Sequence, residues 1–289
     1  MQTLLVPVDL SPTSGAALAV ATYLASSLDL ELQVVHVFDP LQDVAHTLFA
    51  DERSDEKQRL RRALDDFYQK ETEAVRAAFR GRRASLPVVR TEVLEGIPAA
   101  TITGLSQREG LALVVMGGVG TSAGNRPPGI FGSVAKHVAT QSSVPVILLP
   151  QTFRYSAIER IAVAFEEPEE LRMEAPFLRK LIGGLRCEVR YVHVRDADDK
   201  REQQREEDFV DMSSAAGFPS YAYAFDRLPA GDVVERLLAY TLERSVGLLV
   251  LGRRKRSFFA KLLYGDHLGP LVRRIAVPVL IIPLRDPAG

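Results

Sequence analysis

The glycines between residues 117 and 133 are the residues of this chain whose types and spacing could bind an anion. They lie in the segment LVVMGGVGTSAGNRPPGIFGSV, residues 113–134. Gly117 and Gly120 stand three apart after an apolar run, and Gly132-Ser133 opens a second apolar stretch. Paired glycines let a backbone approach a phosphate closely, and the free amides at a helix N-terminus attract its charge. This spacing predicts a phosphate-binding loop.

Two other phosphate-binding patterns fit the segment less well. No Gly-Lys-Ser or Gly-Lys-Thr occurs in the chain, so the P-loop pattern is absent. The run from Gly118 to Ala123 does match the dinucleotide fingerprint G-x-G-x-x-G/A. That fingerprint needs a helix to begin within the motif, whereas Pro127-Pro128 would break a helix here. The sequence therefore favours the loop that runs from Gly117 to Ser133.

Composition and charge limit the partners of this protein. The chain has 289 residues, 46% of them hydrophobic, and a formal net charge of -1, which predicts neither a nucleic acid nor an anionic membrane as a partner. No apolar run reaches the roughly 18 residues of a membrane span, and the start MQTLLVPVDLSPTS lacks the features of a signal peptide. Cys187, the single cysteine, excludes an intramolecular disulfide and suits a reducing cytoplasm. We expect a cytoplasmic protein in which Cys187 is a packed thiol.

An internal repeat organises the whole chain. Four pairs of segments match: LLVPVDLSP (4–12) with IAVAFEEPE (161–169), VVHVFD (34–39) with YVHVRD (191–196), LVVMGG (113–118) with LLVLGR (248–253), and SVPVILLP (143–150) with AVPVLIIP (276–283). The first two pairs share an offset of 157 residues, the third has 135 and the fourth 133. The first half therefore carries 22 extra residues (157 minus 135) between its second strand and its glycine loop, and that loop is two residues longer than its counterpart.

Each half consists of predicted strands that alternate with predicted helices. After the strand TLLVPV, Ser11 is a suitable N-cap and Pro12 fits the first helical position. The run LALVVMG is almost wholly apolar, as in a strand that is covered on both faces. Such alternation predicts an α/β fold with a parallel, doubly wound sheet in each half. We place the first domain at residues 1–151 and the second at 157–289.

The chain resembles the universal stress protein family in its tandem, two-domain form. The resemblance rests on VPVDLSPTS, VVHVFDP, EGIPAATI, LVVMGGVG followed by GSVAKHV, and SVPVILLP. It implies two Rossmann-like, HUP-type domains that pack as an intrachain pseudo-dimer through their last apolar strands, and it leaves a further homodimer open. It also implies a stress-response or signalling protein that binds an adenine nucleotide, ATP with or without Mg²⁺.

The ATP-binding branch of this family implies a nucleotide site in the first half. Matched position by position, the nucleotide-contacting residues of that branch correspond to the following residues of this chain. They are Asp9 and Val37 at the base, Met116, Gly117, Val119 and Gly120 along the ribose and phosphates, and Gly132, Ser133 and Val134 at the phosphate tail. Each of them can also be read as a core, cap or turn residue. Eleven residues separate Gly120 from Gly132, two more than the family's nine. Pro127-Pro128 lies in the region of these two extra residues. The insertion either leaves the glycines in position to bind phosphate or covers or fills the phosphate site.

The second half departs further from the family's pattern. Glu166 takes the place of Asp9, Lys255 that of the second glycine, and Asp266 that of the serine. A carboxylate at a helix N-terminus occupies the position of the anion. We therefore expect nucleotide in the first half alone.

The sequence points to no catalytic group. Its five histidines are scattered, without a pair at metal-ligand spacing, and no residue is committed as a general base. The resemblance allows slow ATP hydrolysis at most. Three functions stay open: a nucleotide-binding module, an interaction scaffold of the same fold that has lost both sites, and an enzyme that acts on another ligand.

Overall fold

The structure is a computed structural model that divides into two compact units, Met1–Tyr155 and Ser156–Gly289. It describes residues 2–39, 50–79, 86–118, 132–151, 153, 158–166, 168–194, 207–208, 222–253 and 275–284. Within these ranges, no helix is long and apolar enough to cross a membrane.

The first unit is a parallel α/β sheet, as the sequence predicts. Its described elements are β1 (Thr3–Pro7), α1 (Pro12–Leu28), β2 (Glu31–Phe38), α2 (Ala50–Phe79), β3 (Val89–Glu95), α3 (Pro98–Ser106), β4 (Leu111–Gly117), α4 (Ser133–Gln141) and β5 (Val146–Leu149). The strand order is β3-β2-β1-β4-β5, and each neighbouring pair is parallel. The order of the strands reverses between β1 and β4, which makes that junction the topological switch point of the sheet.

Local sequence explains how β1 leads into α1. The Ser14 amide donates to the Ser11 side chain at 3.2 Å, and Pro12 occupies the first turn, so the predicted N-cap is confirmed. Strand β4 is buried on both faces, with Leu113 and Val114 fully covered. Helix α1 packs against α2 and β4, and α3 packs against α4. These helices fix the edge of the sheet at which β1 and β4 end.

The second unit repeats this architecture. Its described elements are β6 (Arg160–Ala164), α5 (Pro168–Leu185), β7 (Glu188–Val194), β8 (Tyr223–Leu228), α6 (Val233–Glu243), β9 (Leu248–Arg253) and β10 (Val279–Pro283). The strand order is β10-β9-β6-β7-β8, again with parallel neighbours. Read from the other end, this order matches that of the first unit strand for strand. The prediction of a doubly wound sheet in each half is confirmed.

Unusual backbone angles recur at the offsets of the sequence repeat. Asp29 and Arg186 both adopt left-handed conformations, with φ of 52° and 54°, and they stand 157 residues apart. Gly96 and Gly231, with φ of 148° and 149°, stand 135 apart, and a side chain at such an angle would be strained. The offset has therefore already changed before α3 and α6 begin. The 22 extra residues of the first unit therefore lie between β2 and Gly96.

The thiol of Cys187 should react slowly with alkylating agents. Cys187 is half-buried just before β7, and burial raises the pKa of its thiol to about 11. Because the thiolate is the nucleophile, we expect iodoacetamide at pH 8 to modify the folded protein at least about tenfold more slowly than the urea-unfolded protein. Mass spectrometry of timed samples measures both rates. Equal rates would show that the thiol is not shielded.

Candidate functional site

The carboxyl ends of β1 and β4 bring several predicted site residues to one edge of the first unit. The two strands pair in parallel, with Leu5 opposite Val114, so both end at the same edge. Asp9 follows β1 by two residues, and Gly117 is the last residue of β4. Ligands of doubly wound sheets bind at this kind of switch point, in the crevice beyond the strand ends.

Two hydrogen bonds close the base of the loop between β4 and α4. The Gly118 amide donates to the Leu149 carbonyl at 2.8 Å, and the Gly132 amide donates to the Gly118 carbonyl at 2.7 Å. The start of α4 is therefore tied directly to the end of β4, which brings Gly132 and Ser133 to the same edge as Gly117. Val119, Gly120 and Pro127-Pro128 lie outside the described residues, so the role assigned to them stays a prediction.

Helix α4 begins without a side-chain cap. Its N-cap is Gly132, in an extended conformation with φ of -60° and ψ of 152°, and no side chain accepts from the first turn within the described residues. The Gly132 amide itself is already used by Gly118. The donors that the first turn can offer to an anion are therefore the amides of Ser133, Val134 and Ala135, together with the exposed Ser133 hydroxyl.

Helix α1 begins at the same edge but is capped by its own sequence. The Ser11 side chain accepts from the Ser14 amide, while the Ser14 hydroxyl donates to the Ser11 carbonyl at 2.9 Å. The Asp9 carboxylate accepts from the Ser11 amide at 3.2 Å, which turns the chain from β1 into the helix. Of the two helix N-termini that follow β1 and β4, only that of α4 has no side-chain cap among the described residues, and its amides can receive an anion.

Gly117 has a packing role that the sequence did not indicate. A Cβ at this position would lie 2.9 Å from Thr13 Cγ2 and 3.2 Å from the Thr13 carbonyl carbon and oxygen. The first turn of α1 therefore packs directly on the end of β4. The absence of a side chain at Gly117 is required by the fold itself, whether or not a ligand approaches it.

The three apolar residues predicted around the nucleotide and described by the structure differ in burial. Met116 is buried in β4, whereas Val37 at the end of β2 and Val134 in the first turn of α4 are half-buried. Val37 and Val134 thus keep part of their surface free for contact, and Met116 serves mainly as core. Among the described residues, no cluster of His, Cys, Asp and Glu could hold a metal ion.

A polar cluster of the second unit, which the sequence did not reveal, joins β6, β7, β8 and α6. Glu188 bridges Arg160 at 2.8 Å and Arg190 at 2.7 Å, and Asp226 accepts from Arg190 at 2.8 Å and from the Tyr240 hydroxyl at 2.5 Å. Burial raises the pKa of Asp226, but the hydrogen bonds from Tyr240 and Arg190 outweigh it and lower that pKa overall. Each of the four charges in this cluster is paired with an opposite charge of the second unit.

The glycine segment also contains a Gly-x-Ser-x-Gly pattern, from Gly120 to Gly124. In hydrolases this pattern places a nucleophilic serine on a sharp turn directly between a strand and a helix. Here β4 ends at Gly117 and α4 begins at Ser133, so Ser122 is far from both in sequence. The pattern itself lies outside the described residues.

Comparison with known families gives one match. The model of the universal stress protein family matches residues 1–150 and 188–283. No curated protein matches the chain.

Solved structures share the fold along the whole chain. A universal stress protein from Archaeoglobus fulgidus DSM 4304 matches with a TM-score of 0.65 at 20% identity, over 98% of this chain and 97% of that one. A functionally unknown protein from Pseudomonas aeruginosa PAO1 gives 0.64 at 13% identity, over 98% and 93%. A putative universal stress protein from Pseudomonas aeruginosa UCBPP-PA14 gives 0.60 at 14% identity, over 98% and 94%. At these identities the likeness is one of fold.

Proposed function

The chain belongs to the universal stress protein family, and from this premise we propose that it is a stress-response or signalling protein that binds ATP through its first unit. The observation that carries the proposal is the uncapped N-terminus of α4 at the switch point, held beside the end of β4 by the bond from Gly132 to Gly118. Amides that point into a crevice next to a glycine backbone favour a phosphate group. The base would lie toward Asp9 and Val37.

The second unit offers poorer chemistry at the equivalent edge. Glu166 follows β6 where Asp9 follows β1, and Arg253 ends β9 where the first unit has Gly118. Beyond them, the sequence substitutes Lys255 for a glycine and Asp266 for a serine. A side chain at a glycine position blocks the approach of the backbone, and a carboxylate repels phosphate. We propose that nucleotide binds to the first unit and not to the second.

An interaction scaffold without a ligand is the second candidate, and one observation favours it. Gly117 is required by the contact with Thr13, and the Gly132 amide is used inside the protein. Part of the glycine pattern therefore has a structural reason that needs no nucleotide. In that case, the protein would act through its surface, and a partner would have to be found by other means.

Photo-crosslinking with 8-azido-ATP tests both the binding and its location. We expect labelled peptides from residues 1–151, competition by unlabelled ATP, and no labelled peptides from 157–289. Calorimetry with ATP, with and without Mg²⁺, measures the affinity of the same protein. Absence of binding at millimolar ATP would favour the scaffold. Labelling that is stronger in the second unit would reverse the proposed asymmetry.

A further inference from the structure

A histidine of the second strand makes the same hydrogen bond in both units. His36 Nδ1 lies 2.9 Å from the Val8 carbonyl oxygen, and His193 Nδ1 lies 3.2 Å from the Phe165 carbonyl oxygen. Both donors and both acceptors are related by the offset of 157 residues. A carbonyl oxygen only accepts, so Nδ1 must carry the proton in each histidine.

These bonds lie where the first strand of each unit separates from the second. The Val8 amide still donates to the Val35 carbonyl at 2.8 Å, which continues the ladder one residue beyond β1. At the Val8 carbonyl, the imidazole of His36 takes the place of a strand amide, and the next residue is Asp9. In the second unit, the Phe165 amide donates to Val192 at 3.2 Å, and Glu166 follows. In each unit, the histidine thus holds the backbone carbonyl that immediately precedes the acidic residue, Asp9 or Glu166.

The two units differ in the residue that follows or ends the strand at the switch point, but both keep this histidine bond. The second unit carries Arg253 at the end of β9 in place of glycine, and yet its histidine keeps the same acceptor. His193 is buried and stacks against Phe165 at a ring-centroid distance of 5.6 Å, whereas His36 is half-buried. The bond therefore serves the geometry of the strand end and does not depend on a particular ligand.

We propose that His36 is a positioning residue that sets the turn from Val8 to Asp9 and so holds the Asp9 carboxylate at the switch point. The Asp9 carboxylate then accepts from the Ser11 amide, and this bond joins the position of the strand end to the start of α1. The effect of His36 on nucleotide affinity depends on the proposed ATP site. The effect of His36 on the turn from Val8 to Asp9 does not depend on that site.

Two isosteric substitutions separate this role from general packing. In His36→Asn, the side-chain amide nitrogen can reach the position of Nδ1 and donate to the Val8 carbonyl. In His36→Gln, the amide nitrogen falls near the position of Nε2 and misses that carbonyl. We expect the Asn variant to bind ATP within about twofold of the parent and the Gln variant to bind about five- to tenfold more weakly, as the loss of one hydrogen bond predicts.

Nuclear magnetic resonance provides a readout that needs no nucleotide. In the parent, imidazole nitrogen shifts should show the Nδ1–H tautomer of His36, and the amide signals of Asp9 and Ser11 should move in the Gln variant but stay in the Asn variant. An Nε2–H tautomer, or equal shifts in the two variants, would overturn the proposal. If the parent does not bind ATP, the proposed function fails while these spectra still decide the role of His36.

Discussion

Replacing Gly132 with aspartate should weaken ATP binding on the order of a hundredfold, because the new carboxylate would face a phosphate charge about 4 Å away. Gly132 is the N-cap of α4, and its φ of -60° and ψ of 152° are ordinary for aspartate. The Asp side chain would accept from the amides of the first turn and fill the position that the phosphate would take. Calorimetry with ATP measures the loss.

The stability of the Gly132→Asp variant should not fall, and this separates the loss of binding from unfolding. Aspartate is at least as good an N-cap as glycine, with a difference of a few tenths of a kcal/mol. Gly132→Asn is the matched control, since asparagine caps the same amides without a charge. We expect the Asn variant to bind ATP more tightly than the Asp variant. If all three proteins bind ATP equally, α4 does not receive the phosphate.

Replacing Gly117 with alanine should destabilise the first unit by about 1 to 3 kcal/mol, the usual cost of overpacking. The added Cβ would lie 2.9 Å from Thr13 Cγ2 and 3.2 Å from the Thr13 backbone. Backbone atoms cannot rotate away, so α1 would have to move off the end of β4. Urea denaturation measures the change through the midpoint of unfolding.

A double-mutant cycle with Thr13 tests the origin of that cost. Thr13→Ser removes the methyl group nearest the new Cβ and leaves the backbone contact, so it should restore part of the stability lost in Gly117→Ala. Gly104→Ala is the matched control, since a Cβ at Gly104 has nothing within 4 Å. Alanine there should stabilise α3 by up to about 1 kcal/mol. The packing role of Gly117 would be wrong if Gly117→Ala were as stable as Gly104→Ala.

The sequence alone determined the duplication and the type of sheet. The offsets of 157 and 135 residues recur in the backbone at Asp29 and Arg186 and at Gly96 and Gly231. Apolar runs such as LALVVMG became buried parallel strands, and Ser11 capped α1 as its position predicts. These features follow from residues close together in the chain, whose pattern fixes local structure.

The tertiary structure alone decided what several of the candidate residues do. Gly117 meets Thr13, and Gly132 donates to Gly118, so two glycines that the sequence assigned to a phosphate also serve packing and loop closure. His36 reads as an ordinary strand residue until the fold brings the Val8 carbonyl within 2.9 Å. In each case the partner lies many residues away along the chain, and only the path of the backbone through the parallel sheet brings the two groups together.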